Sequence, residues 1–170
     1  RRPDRPGGGR HGIRRHAAED AQGVAVMLLD LDGFKHVNDT HGHDAGDQVL
    51  KGVASRMQGR IRRSTDVAAR QGGDEFVVIQ ANCGADVRPV EQLARDLVAL
   101  LSQPFDLSDG SSVQIGASVG IARYPVDDLT RRGLLAAADT AMYRAKKAGK
   151  NGYAFAPRVA HTLSDSEPQP

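Results

Sequence analysis

Gly23-Val-Ala-Val-Met-Leu-Leu-Asp30 carries apolar side chains at six successive positions, so both faces of an extended segment are hydrophobic. A half-exposed strand would alternate; one that is apolar on both faces belongs in the middle of a sheet covered on each side. Asp30 leaves a carboxylate at its C-terminal end. Beyond it, Val49, Leu50, Val53, Met57 and Ile61 recur every three or four residues and predict a helix from about Asp44 to Ile61. Asp66-Val-Ala-Ala-Arg70 and Phe76-Val-Val-Ile79 are β-rich and joined across Gly72-Gly73-Asp74, which reads as a tight hairpin. Val90, Leu93, Leu97, Leu100 and Leu101 mark a helix over 89–101; Ser112 to Ala122 reads as a strand. Leu134, Leu135, Ala138, Met142 and Ala145 mark a helix over 130–148, and Tyr153-Ala-Phe155 a closing strand. This order predicts an α/β (α+β) domain, a mixed central sheet of about five strands with helices packed on it.

The chain has 170 residues, enough for one ordinary domain. Its 23 Lys and Arg against 21 Asp and Glu leave a formal charge of +2. Six arginines, at 1, 2, 5, 10, 14 and 15, fall in the first sixteen residues with one Asp, so the remainder is net acidic by three charges. That excludes the strongly basic surface of a usual nucleic-acid binder. Residues 1–22 are rich in Gly, Arg and Pro, and 158–170 are polar and Pro-punctuated, so an irregular basic start and a flexible tail are expected around a domain at 23–157. The lone cysteine, Cys83, excludes a disulfide framework and fits a reducing cytoplasm. The longest apolar run, Val24 to Leu29, falls far short of the roughly 18 residues of a membrane span, so no direct membrane contact is expected of this segment. The Arg1-Arg2 start is what a piece of a longer protein would show, one whose other parts could be membrane-anchored.

Four acidic residues carry the chemistry. Asp30 and Asp32 stand at the strand end and Asp74-Glu75 at the hairpin tip. If the hairpin neighbours the strand, these carboxylates converge and repel unless a cation neutralises them. Oxygen ligands in an incomplete cage suit Mg²⁺, which keeps positions open for phosphate oxygens; Mn²⁺ is a possible substitute. Taken alone, Asp74-Glu75 read equally well as solvated turn residues. Gly72 and Gly73 supply the positive backbone angles of a tight hairpin and let a bulky substrate lie against the main chain. Lys35 is placed to meet a phosphate, as are the backbone N–H groups of Gly33, Phe34 and Lys35, although an exposed lysine is the simpler reading of the spacing. Asn38 and Asp47 are of the types that read a guanine edge, and equally of the types that cap helices and turns. His41 and His43 lack the further ligands of a zinc site. A calcium loop starting at Asp30 fails, because Lys35 and His41 stand where it needs Gly and an acid. An aspartyl phosphotransferase would use Asp30 as nucleophile and Asp32 as acid, but Phe34 is too large for the position it occupies in that scheme.

Five ordered motifs, Asp30-Leu-Asp-Gly-Phe-Lys-His-Val-Asn-Asp39, His41-Gly-His-Asp-Ala-Gly-Asp47, Arg70-Gln-Gly-Gly-Asp-Glu-Phe76, Ser118-Val-Gly-Ile-Ala122 and Ala138 through Asn151, together resemble a GGDEF domain, the diguanylate cyclase family. The resemblance implies a nucleotidyl-cyclase or polymerase-palm-like core that makes cyclic di-GMP from two GTP. It implies Asp30, the Leu31 carbonyl, Asp74 and Glu75 as metal ligands, Asp74 as base and Lys35 as phosphate stabiliser. Asn38 and Asp47 would take guanine, and Lys146 with Lys150 would grip the terminal phosphates. Arg63-Ser-Thr-Asp66 matches the family's Arg-x-x-Asp product-inhibition site, with Arg70 assisting. A two-fold product from a chain with one such site implies a homodimer. The alternative is a weakly active module that binds GTP or cyclic di-GMP. Two departures stand out: Asp4 to Gly12 lacks the leucines of the family's opening motif, and Lys150 replaces the common arginine.

Overall fold

The computed structural model describes residues 23–61 and 65–157. Strand β1 (Val24–Asp32) lies in the middle of a five-stranded sheet of order β2-β3-β1-β6-β7. It is antiparallel to β3 (Glu75–Ala81) on one side and β6 (Gly116–Tyr124) on the other. The edges are β2 (Val67–Gly72), antiparallel to β3, and β7 (Gly152–Phe155), parallel to β6, so the sheet is mixed.

The doubly apolar pattern of β1 follows from its position. Ala25, Met27, Leu29 and Leu31 join one core with helices α2 (His43–Arg60) and α3 (Arg88–Leu101). Val26 and Leu28 face the other way, against Leu134, Ala138 and Met142 of α4 (Arg131–Lys147). Helix α4 crosses β6 at Gly120, where a Cβ would run into the backbone of Ala138 and Met142. Thr130 caps α4 through its hydroxyl, which accepts from Gly133 N at 3.0 Å. Among the described residues no helix is long and apolar enough to cross a membrane.

The structure differs from the sequence reading twice. Phe34–His41 is a helix, α1, that no apolar period announced, with Phe34 and Val37 buried. Two apolar positions are too few to reveal a period, and the helix is held by tertiary packing on α2. The turn comes at Gly42 (φ 84°), whose N–H donates to the Asn38 carbonyl and closes the helix. The second change is in Ser112 to Ala122, which is not one strand. Ser112–Val113 (β5) pairs with Phe105–Asp106 (β4) in a separate ribbon, and the main-sheet strand starts at Gly116. Phe105 draws the ribbon onto α2, stacking under the Arg56 guanidinium at 3.6 Å, while Arg56 donates to the carbonyls of Leu100, Gln103 and Pro104.

Candidate active site

The register of the central strands sets the geometry. Asp30 and Glu75 are direct cross-strand partners, so both side chains leave the sheet on the α4 face. The turn between β2 and β3 is the dipeptide Gly73-Asp74, closed by the pair Gly72 and Glu75. Gly73 has φ 54°, a conformation that costs an L side chain. Gly72 is not in the positive-φ region, so only one of the two glycines serves the turn in the expected way. Two bonds brace the tip: Leu31 N donates to the Asp74 carbonyl at 3.2 Å, and Arg70 Nε to the Gly73 carbonyl at 2.9 Å. Backbone contact thus places Asp74 beside the end of β1 and leaves its carboxylate uncommitted by that bond.

Lysine 146, near the C-terminus of α4, puts its Nζ 2.8 Å from Asp30 Oδ2, with Asp30 16% exposed. Residue Lys35 lies exposed in the first turn of α1, immediately after the left-handed Gly33 (φ 86°). That first turn has N–H groups without intrahelical partners, the ordinary setting for an anion. Asn38 is half-buried against α2 at Gly46, where a Cβ would collide with Asn38 Oδ1. The next residue, Asp47, is exposed and lines a groove of about 420 Å³ with Leu50, Lys51, Met57, Arg70 and Phe76. This size suits a small organic ligand. Phe76 belongs to the α2-side core, so the groove opens on the sheet face opposite Asp30 and Glu75. The hairpin tip stands at the sheet end, where the two faces meet.

Asp32 departs from the expected acidic cluster. Its carboxylate accepts from Ser118 Oγ at 2.8 and 3.0 Å and from Asn151 N at 2.9 Å, so it is committed to protein donors. The phosphotransferase scheme needs Asp32 as a free acid and loses it. Ser118 and Asn151 both lay inside sequence motifs, but nothing in their type announced this partner.

Asp66 lies elsewhere, on a cavity of about 450 Å³ with Arg60, Gln80 and Gln92. Its Oδ1 accepts from Ala81 N at 3.3 Å, and Gln80 Oε1 is buried there without a hydrogen-bond partner. Arg60 and Gln92 both donate to Asp96, which holds that carboxyl below its usual range, the Arg60 bond being the larger cause. Arg70 faces the other groove, so the fold does not bring it to Asp66. Arg63 and the opening motif at Asp4 to Gly12 lie outside the described residues.

The donors at the β1 end are carboxylate and carbonyl oxygens, which fit a hard divalent cation in kind. Among the described residues no three His, Cys, Asp or Glu side chains are grouped to hold a metal ion. The fit therefore rests on donor chemistry and on the same-face pair Asp30 and Glu75.

Among the described residues, a mixed five-stranded sheet with four helices carries acids at the end of its central strand and a glycine hairpin beside them, the palm-like α+β architecture of the nucleotidyl-cyclase kind that the resemblance implies. The family model "Diguanylate cyclase, GGDEF domain" matches residues 10–152, and the chain belongs to that family. It is 49% identical over 140 residues to the bifunctional diguanylate cyclase/cyclic di-GMP phosphodiesterase MucR of Pseudomonas aeruginosa, covering 82% of this chain and 20% of MucR. It is 44% identical over 135 residues to the diguanylate cyclase TpbB of the same species, covering 78% of this chain and 30% of TpbB. The chain thus spans less than a third of either relative's length. Among solved structures, the GGDEF domain of TpbB superposes with a TM-score of 0.78 at 40% identity, covering 85% of this chain and 89% of that one. The GGDEF domain of DgcB from Caulobacter crescentus, solved in complex with c-di-GMP, gives 0.72 at 30% identity, covering 84% of each chain.

Proposed function

We propose that residues 23–157 form a catalytic unit that condenses two GTP into cyclic di-GMP in the cytoplasm, where GTP is available. The observation that carries this reading is the pairing of Asp30 with Glu75 on one face, beside a hairpin tip tied to β1 through Leu31 and Asp74. In each half-reaction a ribose 3′-oxygen forms a bond to the α-phosphorus of the other GTP, pyrophosphate leaves, and the 3′-hydroxyl proton passes to the Asp74 carboxylate. Asn38 and Asp47 read guanine, donating to and accepting from its edge. Substrate lies against the main chain at Gly33, Phe34, Gly72 and Gly73. Lys35 meets the phosphates near the attacked centre; Lys146 and Lys150 take the terminal ones. Asp30, the Leu31 carbonyl, Asp74 and Glu75 would hold Mg²⁺ or Mn²⁺. Such an ion supplies charge neutralisation at the phosphates. Two chains meet head to head, each bringing one GTP.

Product feedback through Arg63 and Asp66 is part of the proposal, supported by the cavity beside Asp66 with its unpaired Gln80 oxygen. Arg63→Ala should weaken cyclic di-GMP binding in calorimetry; unchanged affinity would remove that assignment. A second reading, a domain that binds nucleotide but turns over little, draws support from 41% identity over 134 residues to a protein named cyclic di-GMP phosphodiesterase NbdA, of which the match covers 17%. Incubation with Mg²⁺ and GTP, with mass detection of cyclic di-GMP, separates the two. Binding without turnover selects the second.

A further inference from the structure

Between α4 and β7 the chain passes through three consecutive residues in the left-handed region: Gly149 (φ 122°), Lys150 (φ 62°) and Asn151 (φ 44°). Two of these are not glycine, and such backbone persists only where surrounding contacts hold it. The contacts come from three directions. Lys150 N donates to the Ala145 carbonyl at 3.1 Å, closing the end of α4. Asn151 Oδ1 accepts from Ser102 Oγ at 2.5 Å and from Ala117 N at 3.4 Å. Asp32, the last residue of β1, accepts from Asn151 N at 2.9 Å while Ser118 Oγ, 2.8 Å away, fixes its rotamer. Gly116 leaves the room: a Cβ there would press on the Asn151 side chain at 3.1 Å.

We infer that Asp32 is a positioning residue: through Asn151 N it clamps the Gly149–Asn151 turn and so aims Lys150, giving the site its preference for a nucleoside triphosphate over the monophosphate. The inference rests on the proposed role of Lys146 and Lys150 at the terminal phosphates. Its chemistry is specific to a carboxylate. An anionic acceptor binds a backbone N–H and a hydroxyl together more strongly than a neutral one does. The same carboxylate stands two residues from Asp30, to which Lys146 is paired at 2.8 Å. One strand end therefore anchors both basic groups, Lys146 directly and Lys150 through the turn.

The test uses 3′-deoxy-GTP and 3′-deoxy-GMP, which lack the attacking hydroxyl and cannot be turned over, titrated calorimetrically into the full chain with Mg²⁺. Asp32→Ala should weaken 3′-deoxy-GTP at least tenfold and leave 3′-deoxy-GMP within twofold. Asp32→Asn, which keeps an acceptor, should lose less and covers the case in which the alanine variant does not fold. Lys150→Ala should show the same selective loss, and the double variant Asp32→Ala/Lys150→Ala should be no worse than Lys150→Ala alone, because one residue acts through the other. Equal losses for both nucleotides, or losses that multiply in the double variant, would overturn the inference. Triphosphate preference surviving Asp32→Ala and Asp32→Asn would overturn it alone. A parent chain that binds neither nucleotide would overturn it together with the reading of the site.

Discussion

Asp74 meets β1 through its carbonyl rather than its carboxylate, which separates stability from chemistry at one position. Asp74→Ala keeps the bond from Leu31 N. Its melting temperature should therefore stay within a few degrees of the parent, while, on the proposed role of Asp74 as base, cyclic di-GMP formation should fall by the roughly 10²–10⁴-fold of a lost general base. Turnover persisting in both Asp74→Ala and Glu75→Ala would remove the proposed roles of both acids. Gly73 presents the opposite case. At φ 54° an alanine strains the turn, and Gly73→Ala should lower stability in a denaturant titration by about 1 kcal/mol. Residue types told much of the site in advance: Asp30, Asp74 and Glu75 were visible as acids flanking two strand ends. The commitment of Asp32 to Ser118 and Asn151 was not, because it joins three distant segments and depends on side-chain direction.

Among the elements, the central strand was legible because burial on both faces leaves an unbroken apolar run. Helix α1 was hidden, since an eight-residue helix with two buried side chains has no period to read and its residues double as turn formers. The break in 112–122 was hidden for a related reason: a β-rich run does not say when it changes partner. Contacts between elements also fix where substitution is tolerated. At Gly120, α4 lies so close to β6 that the neighbouring atoms are backbone and cannot swing aside. Gly120→Ala should cost about 1–3 kcal/mol, the range of overpacked cores, measured as a lower urea midpoint. At Gly46 the neighbours are side chains, the Asn38 amide and the edge of the Phe34 ring at 3.2 Å, which yield more easily than backbone. Gly46→Ala should therefore leave stability nearly intact while weakening guanine-nucleotide affinity, as Asn38 is pushed off its place.

For the molecule as a whole, the proposed two-chain reaction predicts specific activity that rises with protein concentration or with an added dimerising tag; a flat dependence would contradict it. Acid should weaken the fold. Glu91, bonded by the Tyr153 hydroxyl and Arg95, and Asp96, bonded by Arg60 and Gln92, both titrate below their usual range. Because the folded values are depressed, the unfolded chain takes up protons first. Their contribution is complete above the ordinary carboxylate range and is lost as pH falls through the depressed values. Melting temperatures recorded from pH 7 down to pH 3 should fall, and Asp96→Asn should flatten that slope. One further consequence comes from the register that pairs Val24 with Tyr124. During synthesis on the ribosome the most hydrophobic of the described strands emerges before the others and gains its second neighbour only after four of the five strands of the sheet have been made. Until then a greasy ribbon waits with an open flank, so the nascent polypeptide is most vulnerable to clumping just before β6 leaves the exit tunnel.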